Sequence, residues 1–127
     1  MFSRLALLAI LPVAAHAQPA VEQGKQLYIA KCAACHSVDY NGVGPAHKGV
    51  FGRKAGSASG YTYSPALQAS TVVWNAATLD RWLSNPEKFI PGQKMGFSVP
   101  SASERAALIA YLQSVSPSPT QPQGATP

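Results

Sequence analysis

The chain has 127 residues, of which 46% are hydrophobic and 12% charged, and its formal net charge is +5. This length fits one small domain. The cations are scattered singly from Lys25 to Arg105, with no basic run and no interleaved aromatic residues, so we expect no nucleic-acid partner.

Residues 1–17 have the order of a secretory signal peptide. Arg4 precedes an apolar run from Leu5 to Ala15, and Ala15-His16-Ala17 matches a cleavage site. The run is shorter than the ~20 residues of a spanning helix. We expect cleavage after Ala17, export to the bacterial periplasm and no stable membrane insertion; an uncleaved N-terminal anchor is the alternative. Without Arg4, nine Lys and Arg oppose five Asp and Glu, and this net charge of +4 favours an acidic partner surface.

The first predicted helix spans about Ala20 to Ala34. Pro19 suits its start, and Leu27 and Tyr28 fall at helical spacing. Gly24 lies inside this helix and costs about 1 kcal/mol relative to alanine. Such a glycine is expected where another backbone approaches closely.

The middle of the chain is predicted to be mostly loop. Residues 37–70 are rich in glycine and serine, with one short helical turn at Pro65 to Ala69. A second helix is predicted from about Asn75 or Thr78 to Asn85, because its apolar residues repeat at helical spacing and a proline follows.

The segment PEKFIPGQKMGFSVP, residues 86–100, is predicted to be a loop. Ser101 and Glu104 then match a capping box at the start of a third helix. The apolar stripe of that helix consists of Leu108, Tyr111, Leu112 and Val115. Residues 116–127 contain alternating prolines and little apolar content, so we expect a disordered tail.

These elements predict an all-α domain over residues 18–115, with about three main helices and long loops. No strand pattern and no internal repeat is visible in the sequence. Three helices supply little core for a domain of this length. Small domains of this kind usually need a disulfide, a metal or a cofactor.

The run CAACH, residues 32–36, contains both cysteines of the chain and a histidine. A CxxCH run is typical of covalent haem c attachment. On one helical turn, Cys32 and Cys35 lie three residues apart and can bond the two vinyl groups of one haem. His36 follows where its imidazole can reach the iron.

Two other uses of these side chains remain open. An exported protein with two cysteines would normally form a disulfide, and CxxC also occurs in dithiol redox proteins. The residues before Cys32 look helical, however, whereas a redox CxxC follows a strand. Zinc requires four ligands, and beyond CAACH only His47 and a few carboxylates remain.

Met95 is the candidate sixth ligand of the iron. It is the only methionine after residue 17, and it lies in the loop IPGQKMGF. A gap-filling methionine is one alternative. His47 is a rival ligand, although we expect it to be a solvated loop histidine. Ligation by His36 and Met95 raises the reduction potential relative to ligation by two histidines, which suits an electron carrier.

From about residue 20 to 115 the sequence resembles the class I cytochromes c of the mitochondrial and bacterial type. Besides CAACH, the resemblance rests on GPAHKGVFGRKAG, GYTYS, the region of Trp74, NPEKFIPGQKMGF and ERAALIAYL. It implies the cytochrome c fold, in which a few helices and long loops wrap around one haem.

The resemblance also implies roles for single residues. The carbonyl of Pro45 would accept a hydrogen bond from the ligand histidine. Arg53, Tyr63 and Trp74 would bond a haem propionate or lie near one, although for the two aromatic residues core packing is also compatible. Gly24 would allow the N-terminal helix to cross the C-terminal helix closely.

Three side chains depart from the family pattern. Trp82 stands where a tyrosine near the methionine sulfur is common, and Gln93 replaces a threonine that helps to order a buried water. Glu87 replaces a docking lysine, so the docking face is less uniformly basic. The loop between His36 and Pro45 is also shorter than in the mitochondrial proteins.

These features predict a soluble, monomeric, periplasmic one-electron carrier that is not an enzyme. Its exposed haem edge would lie near Lys31, Cys32, Lys94 and Phe97 and would face redox partners with acidic docking surfaces. One alternative is a haem enzyme or ligand sensor with a labile sixth ligand. Another is a dedicated cytochrome subunit of one periplasmic dehydrogenase.

Overall fold

The computed structural model describes residues 18–117. The predicted signal peptide, and all of the predicted tail after residue 117, lie outside the described residues. The five helices are α1 (Ala20–Lys31), α2 (Pro65–Ala69), α3 (Ala76–Ser84), α4 (Pro86–Phe89) and α5 (Ala102–Ser114). Within residues 18–117 the only β pairing is an isolated bridge between Lys54 and Val73. The all-α prediction is therefore confirmed.

The prediction for the end of α1 was three residues too long. The helix ends at Lys31, because the amides of Cys32 and Ala33 both donate to the carbonyl of Tyr28. A separate turn follows, in which the Cys35 amide donates to the Cys32 carbonyl at 3.1 Å. None of the helices within the described range is long and apolar enough to cross a membrane.

A capping box forms at the start of α3. The Asn75 side chain accepts from the Thr78 amide at 2.9 Å, and the Thr78 hydroxyl accepts from the Asn75 amide at 2.8 Å. The prediction of a loop directly after α3 was wrong, because α4 begins there. Asn85 caps this short helix by accepting from the Lys88 amide at 3.0 Å, and Pro86 has the fixed φ angle that a first helical position requires.

Only half of the capping box predicted for α5 is present. The Ser101 hydroxyl accepts from the Glu104 amide at 3.3 Å. The Glu104 carboxylate instead pairs with the Lys31 ammonium at 3.2 Å, which links the start of α5 to the end of α1. A carboxylate in a first helical turn and an ammonium in a last turn also complement the two helix dipoles.

Helices α1 and α5 cross at Gly24. A β-carbon added there would overlap the backbone carbonyl of Ala107 and would lie 2.9 Å from the Tyr111 β-carbon. The Tyr28 ring packs beside the crossing, with its centroid 5.1 Å from that of Tyr111. The glycine that is costly for an isolated helix is therefore explained by the close approach of α5.

Replacement of Gly24 by alanine is expected to destabilise the folded protein by about 1–3 kcal/mol, because the added methyl group must push the two helices apart. The gain in helix propensity of about 1 kcal/mol offsets only part of this. Chemical denaturation measures the loss. Gln26→Ala, on the exposed side of α1, is the matched control. A Gly24→Ala protein as stable as that control would contradict the close crossing.

Arg105 fastens α5 to the segment that precedes it. Its Nε donates to the Asp80 carboxylate of α3 at 2.7 Å, and one Nη donates to the carbonyls of Val99 and Pro100. Val99 is almost fully buried. The chain that runs from α4 to α5, which contains Met95, is thereby held at its C-terminal end.

Candidate cofactor site

A cavity of ≈ 720 Å³ lies among α1, α3, α5 and the long loops. Its volume falls in the range of small-molecule and cofactor pockets. The buried apolar residues on its wall are Val50, Leu67, Trp74, Leu79, Leu83, Leu108 and Leu112. Every residue predicted to bind the cofactor or its metal also lines it: Cys32, Cys35, His36, Pro45, Arg53, Tyr63, Trp74 and Met95.

The imidazole of His36 is held by its neighbours. Its Nδ1 lies 2.9 Å from the carbonyl oxygen of Pro45, the contact implied by the family resemblance. A β-carbon on Gly44 would overlap the same ring at Cε1, so only glycine allows the imidazole to lie against the backbone there. Burial lowers the pKa of His36, against an opposing effect of the Pro45 bond. The imidazole is therefore neutral near pH 7, which is the form that binds metals.

The expectation that His47 is a solvated loop histidine was wrong. Its ring stacks on His36 with a centroid separation of 4.0 Å and an angle of 18° between the planes. Its Nδ1 shares a hydrogen bond of 2.9 Å with the hydroxyl of Tyr28. Burial lowers the pKa of His47 to about 3, with His36 and Arg53 contributing. The reason lies in the tertiary structure, because α1 brings Tyr28 over this loop.

The stacking also bears on the alternative in which His36 and His47 both bind the iron. Two imidazoles that bind one iron from opposite sides must point their nitrogens toward each other across the metal. The rings of His36 and His47 instead lie face to face with almost parallel planes. The nitrogens of one ring therefore do not point toward those of the other. This arrangement does not fit ligation of one iron by both histidines.

The structure forms no disulfide between Cys32, which is half-buried, and Cys35, which is exposed. Burial raises the pKa of the Cys32 thiol to about 11, although Lys31 opposes the shift. A redox CxxC needs the opposite shift, since its attacking thiol is activated by a lowered pKa. Among residues 18–117, no three His, Cys, Asp or Glu side chains are grouped closely enough to hold a metal ion. Neither the dithiol nor the zinc alternative gains support.

Arg53 provides a test of whether the cavity suits a group with carboxylates. Two of its nitrogens donate to backbone carbonyls, that of Ala46 at 2.9 Å and that of Lys48 at 3.2 Å. Its buried Nε has no hydrogen-bond partner within residues 18–117. Such an unpaired buried donor is costly unless a bound group supplies an acceptor. The carboxylate of a haem propionate would be such an acceptor, so the apolar cavity with Arg53 in its wall fits haem.

The aromatic residues of the wall support one another. Trp74 is only 7% exposed and packs on Trp82, with ring centroids 5.4 Å apart. The Trp74 amide donates to the Arg53 carbonyl at 2.9 Å, so the backbone segments that carry these two residues are joined. The Tyr63 hydroxyl accepts from the Ala58 amide at 2.9 Å. Trp82, one of the three departures from the family pattern, also lines the cavity.

Glu87 organises the loop that contains Met95. One of its carboxylate oxygens accepts from the Gly92 amide at 3.0 Å and the other accepts from the Gln93 side chain at 3.2 Å. Gly92 has a φ angle of 87°, which favours glycine in this turn. Met95 itself is half-buried. Glu87, noted in the sequence only for the lysine it replaces, therefore stabilises the turn that precedes the candidate ligand.

Replacement of Glu87 by alanine is expected to loosen this turn without unfolding the protein. The loss of the carboxylate bonds should cost about 0.5–1.5 kcal/mol each at most. The amide of Gly92 should then exchange faster with deuterated solvent. Lys88→Ala, an exposed change on the same helix, is the control. Equal exchange of Gly92 in both variants would show that Glu87 does not hold the loop.

Exposed apolar and basic side chains lie at the cavity as well. Val43 is 76% exposed and Phe97 is 43% exposed, and Lys94 lines the same cavity. Lys31 also lines it, but its ammonium is paired with Glu104. Lys94 is thus a cation beside the cavity that is not committed to an ion pair among the described residues.

Sequence reasoning did not assign site roles to Gly44, Tyr61 or the Tyr28–His47 pair. Tyr61 lines the cavity and donates from its hydroxyl to the Val43 carbonyl at 2.7 Å. A glycine directly before Pro45 carries no local signal that a distant ring will lie against it. The hydroxyl of Tyr28, in contrast, was a usable signal, since a buried tyrosine usually has a polar partner.

Comparisons with known proteins agree with this site. The family model described as Cytochrome c matches residues 21–116. A cytochrome c of Gibberella zeae is 43% identical over 97 residues, which cover 73% of this chain and 92% of that protein. A cytochrome c2 iso-1 of Magnetospirillum molischianum is 47% identical over 90 residues, covering 67% of this chain and 90% of that protein.

A solved structure is similar over the same region. Cytochrome cH from Methylobacterium extorquens matches with a TM-score of 0.71 and 42% identity, over 74% of this chain and 97% of that chain. The predicted cytochrome c fold and haem c cofactor are thereby confirmed. The chain belongs to the cytochrome c family, whose members transfer electrons with a covalently attached haem c.

Proposed function

We propose that the chain is a periplasmic one-electron carrier in which Cys32 and Cys35 hold haem c through two thioether bonds and His36 and Met95 bind its iron. The observation that carries the proposal is that one apolar cavity brings the CxxCH turn, Met95 and an unpaired arginine nitrogen together. Haem c supplies a one-electron couple between ferric and ferrous iron.

The side chains around the cavity would tune this couple. The Pro45 carbonyl orients the His36 ring and increases its basicity as a ligand. The apolar wall excludes water and so disfavours the additional positive charge of ferric iron, which raises the reduction potential. A thioether ligand also raises it. We infer a reduction potential above that of a bis-histidine site. Arg53, Tyr63 and Trp74 would surround the propionates, with the guanidinium offsetting their negative charge.

The periplasmic location is inferred from the leader. Residues 1–17 have the charge, apolar run and cleavage-site order of a signal peptide. The similarity to the cytochromes of Magnetospirillum and Methylobacterium supports a bacterial setting. A covalent bond to the chain would keep the cofactor from being lost after export. N-terminal sequencing of the mature protein tests the cleavage after Ala17.

The partner is inferred to present an acidic surface to the exposed edge of the cavity. Surface charges are screened beyond about 8 Å at physiological salt, so the attraction should be modest. Electron-transfer rates with an acidic partner are expected to fall as ionic strength rises. Lys94→Gln should reduce this dependence, whereas Lys25→Gln, on the exposed side of α1, should not. A rate that rises with salt would place the positive face elsewhere or make the partner basic.

A visible spectrum, a redox titration and carbon monoxide binding of the purified mature protein test the carrier function. A low-spin c-type spectrum, a reversible one-electron couple and slow or no binding of carbon monoxide are expected. Rapid binding to the reduced protein would instead favour a haem enzyme or ligand sensor. Copurification with one dehydrogenase would favour a dedicated subunit.

A further inference from the structure

A line of contacts connects the helix crossing to the His36 imidazole. Tyr28 is 5% exposed and lies beside Tyr111 at the crossing of α1 and α5. Its hydroxyl shares a 2.9 Å hydrogen bond with Nδ1 of His47. The ring of His47 stacks on His36 at 4.0 Å. Thus a buried residue at the helix crossing is connected to the proposed iron ligand through a single intermediate side chain.

The His36 ring is restrained in different ways by its neighbours. The Pro45 carbonyl restrains Nδ1 within the ring plane. The backbone of Gly44 lies over the ring at Cε1, because a β-carbon built there would overlap Cε1 and lie 2.6 Å from both ring nitrogens. Gly44 has no side chain, so it covers only the Cε1 end of the ring, whereas a stacked ring covers a whole face. His47 covers one face, and its own position depends on Tyr28, because a stacked ring without a hydrogen bond can slide or tilt.

We propose that Tyr28 and His47 are positioning residues that fix the orientation of the His36 imidazole. The inference rests on the proposed role of His36 as an iron ligand. In ferric low-spin haem, the orientation of a ligand imidazole would set the direction of the unpaired spin. Loss of the Tyr28–His47 bond therefore changes magnetic spectra of the holoprotein, whereas a contact that only stabilises the fold leaves them unchanged.

The test uses the full haem-loaded protein with two substitutions that remove the bond and keep both rings. Tyr28→Phe deletes one oxygen, and His47→Phe keeps an aromatic ring against His36. Tyr111→Phe is the matched control, because it deletes the hydroxyl of the neighbouring ring. The measurements are the hyperfine-shifted proton resonances of the haem methyl groups and of His36, and the g values from electron paramagnetic resonance.

Tyr28→Phe is expected to move these resonances and g values, while Tyr111→Phe leaves them at their wild-type positions. In a His47→Phe background, Tyr28→Phe should cause no further shift, because the bond is already absent. If either single variant fails to fold, the other still removes the same bond. The positioning role is overturned if Tyr28→Phe shifts the resonances and g values no more than Tyr111→Phe does. It is also overturned if Tyr28→Phe causes the same shift in the wild-type and His47→Phe backgrounds.

The same experiment separates this inference from the proposed function. A wild-type protein with a low-spin c-type spectrum and unshifted variants overturns the positioning role alone. A wild-type protein without covalently bound low-spin haem overturns both.

Discussion

Replacement of both Cys32 and Cys35 by alanine is expected to leave the chain without covalent haem and without a stable fold. The cavity of ≈ 720 Å³ is lined mainly by apolar side chains that pack against the cofactor when it is bound. Without the cofactor these side chains lose the group against which they would be buried, and burial of one large apolar side chain contributes about 1.5–3 kcal/mol. The loss of several such contributions is comparable with the roughly 5–15 kcal/mol by which native proteins are stable. We therefore expect the apolar wall to collapse or unfold.

Haem staining after denaturing electrophoresis and far-ultraviolet circular dichroism measure the two losses. Cys35→Ala is the partial control, because a single thioether should retain the haem and shift the α band. If the double variant folds with loosely held haem, covalent attachment is not required for folding. A wild-type protein with a reducible Cys32–Cys35 disulfide and no haem would refute the site assignment.

Replacement of Met95 by alanine is expected to abolish the near-infrared band of ferric sulfur ligation. The reduction potential should fall, because a thioether ligand is lost. The reduced protein should bind carbon monoxide, since a methyl side chain offers the iron no donor in place of the sulfur. Absorption spectroscopy, redox titration and carbon monoxide binding measure these three changes.

His47→Ala is the control for Met95→Ala. His47 lies against His36 rather than across the cavity from it, so its loss should leave the sulfur band intact and should not admit carbon monoxide. The opposite pattern, in which His47→Ala removes the low-spin spectrum and Met95→Ala preserves it, would indicate ligation by two histidines. The high-potential carrier role would then have to be abandoned.

Helix boundaries that depend on neighbouring residues are predicted well by local sequence signals. Pro19 indicates the start of α1, Pro65 the start of α2, and the proline after α3 the end of that helix, as the structure has them. The same proline also starts α4, which was missed because a proline that ends one helix is equally suited to begin another. The capping box was assigned to Ser101 and Glu104, but Glu104 reaches Lys31 of α1 instead.

The sequence by itself determined the chemistry of the site, because the two thiols and the imidazole of CAACH are placed by five consecutive residues and need no distant partner. It also indicated, through the costly Gly24, that another backbone approaches α1. Only the tertiary structure decided which contacts surround those groups. The burial of His47 under Tyr28, and the contact of Gly44 with the His36 ring, join positions that local periodicity does not relate. Such contacts arise when the helices cross and the loops close over the cavity, so their energies depend on the whole fold rather than on neighbouring residues.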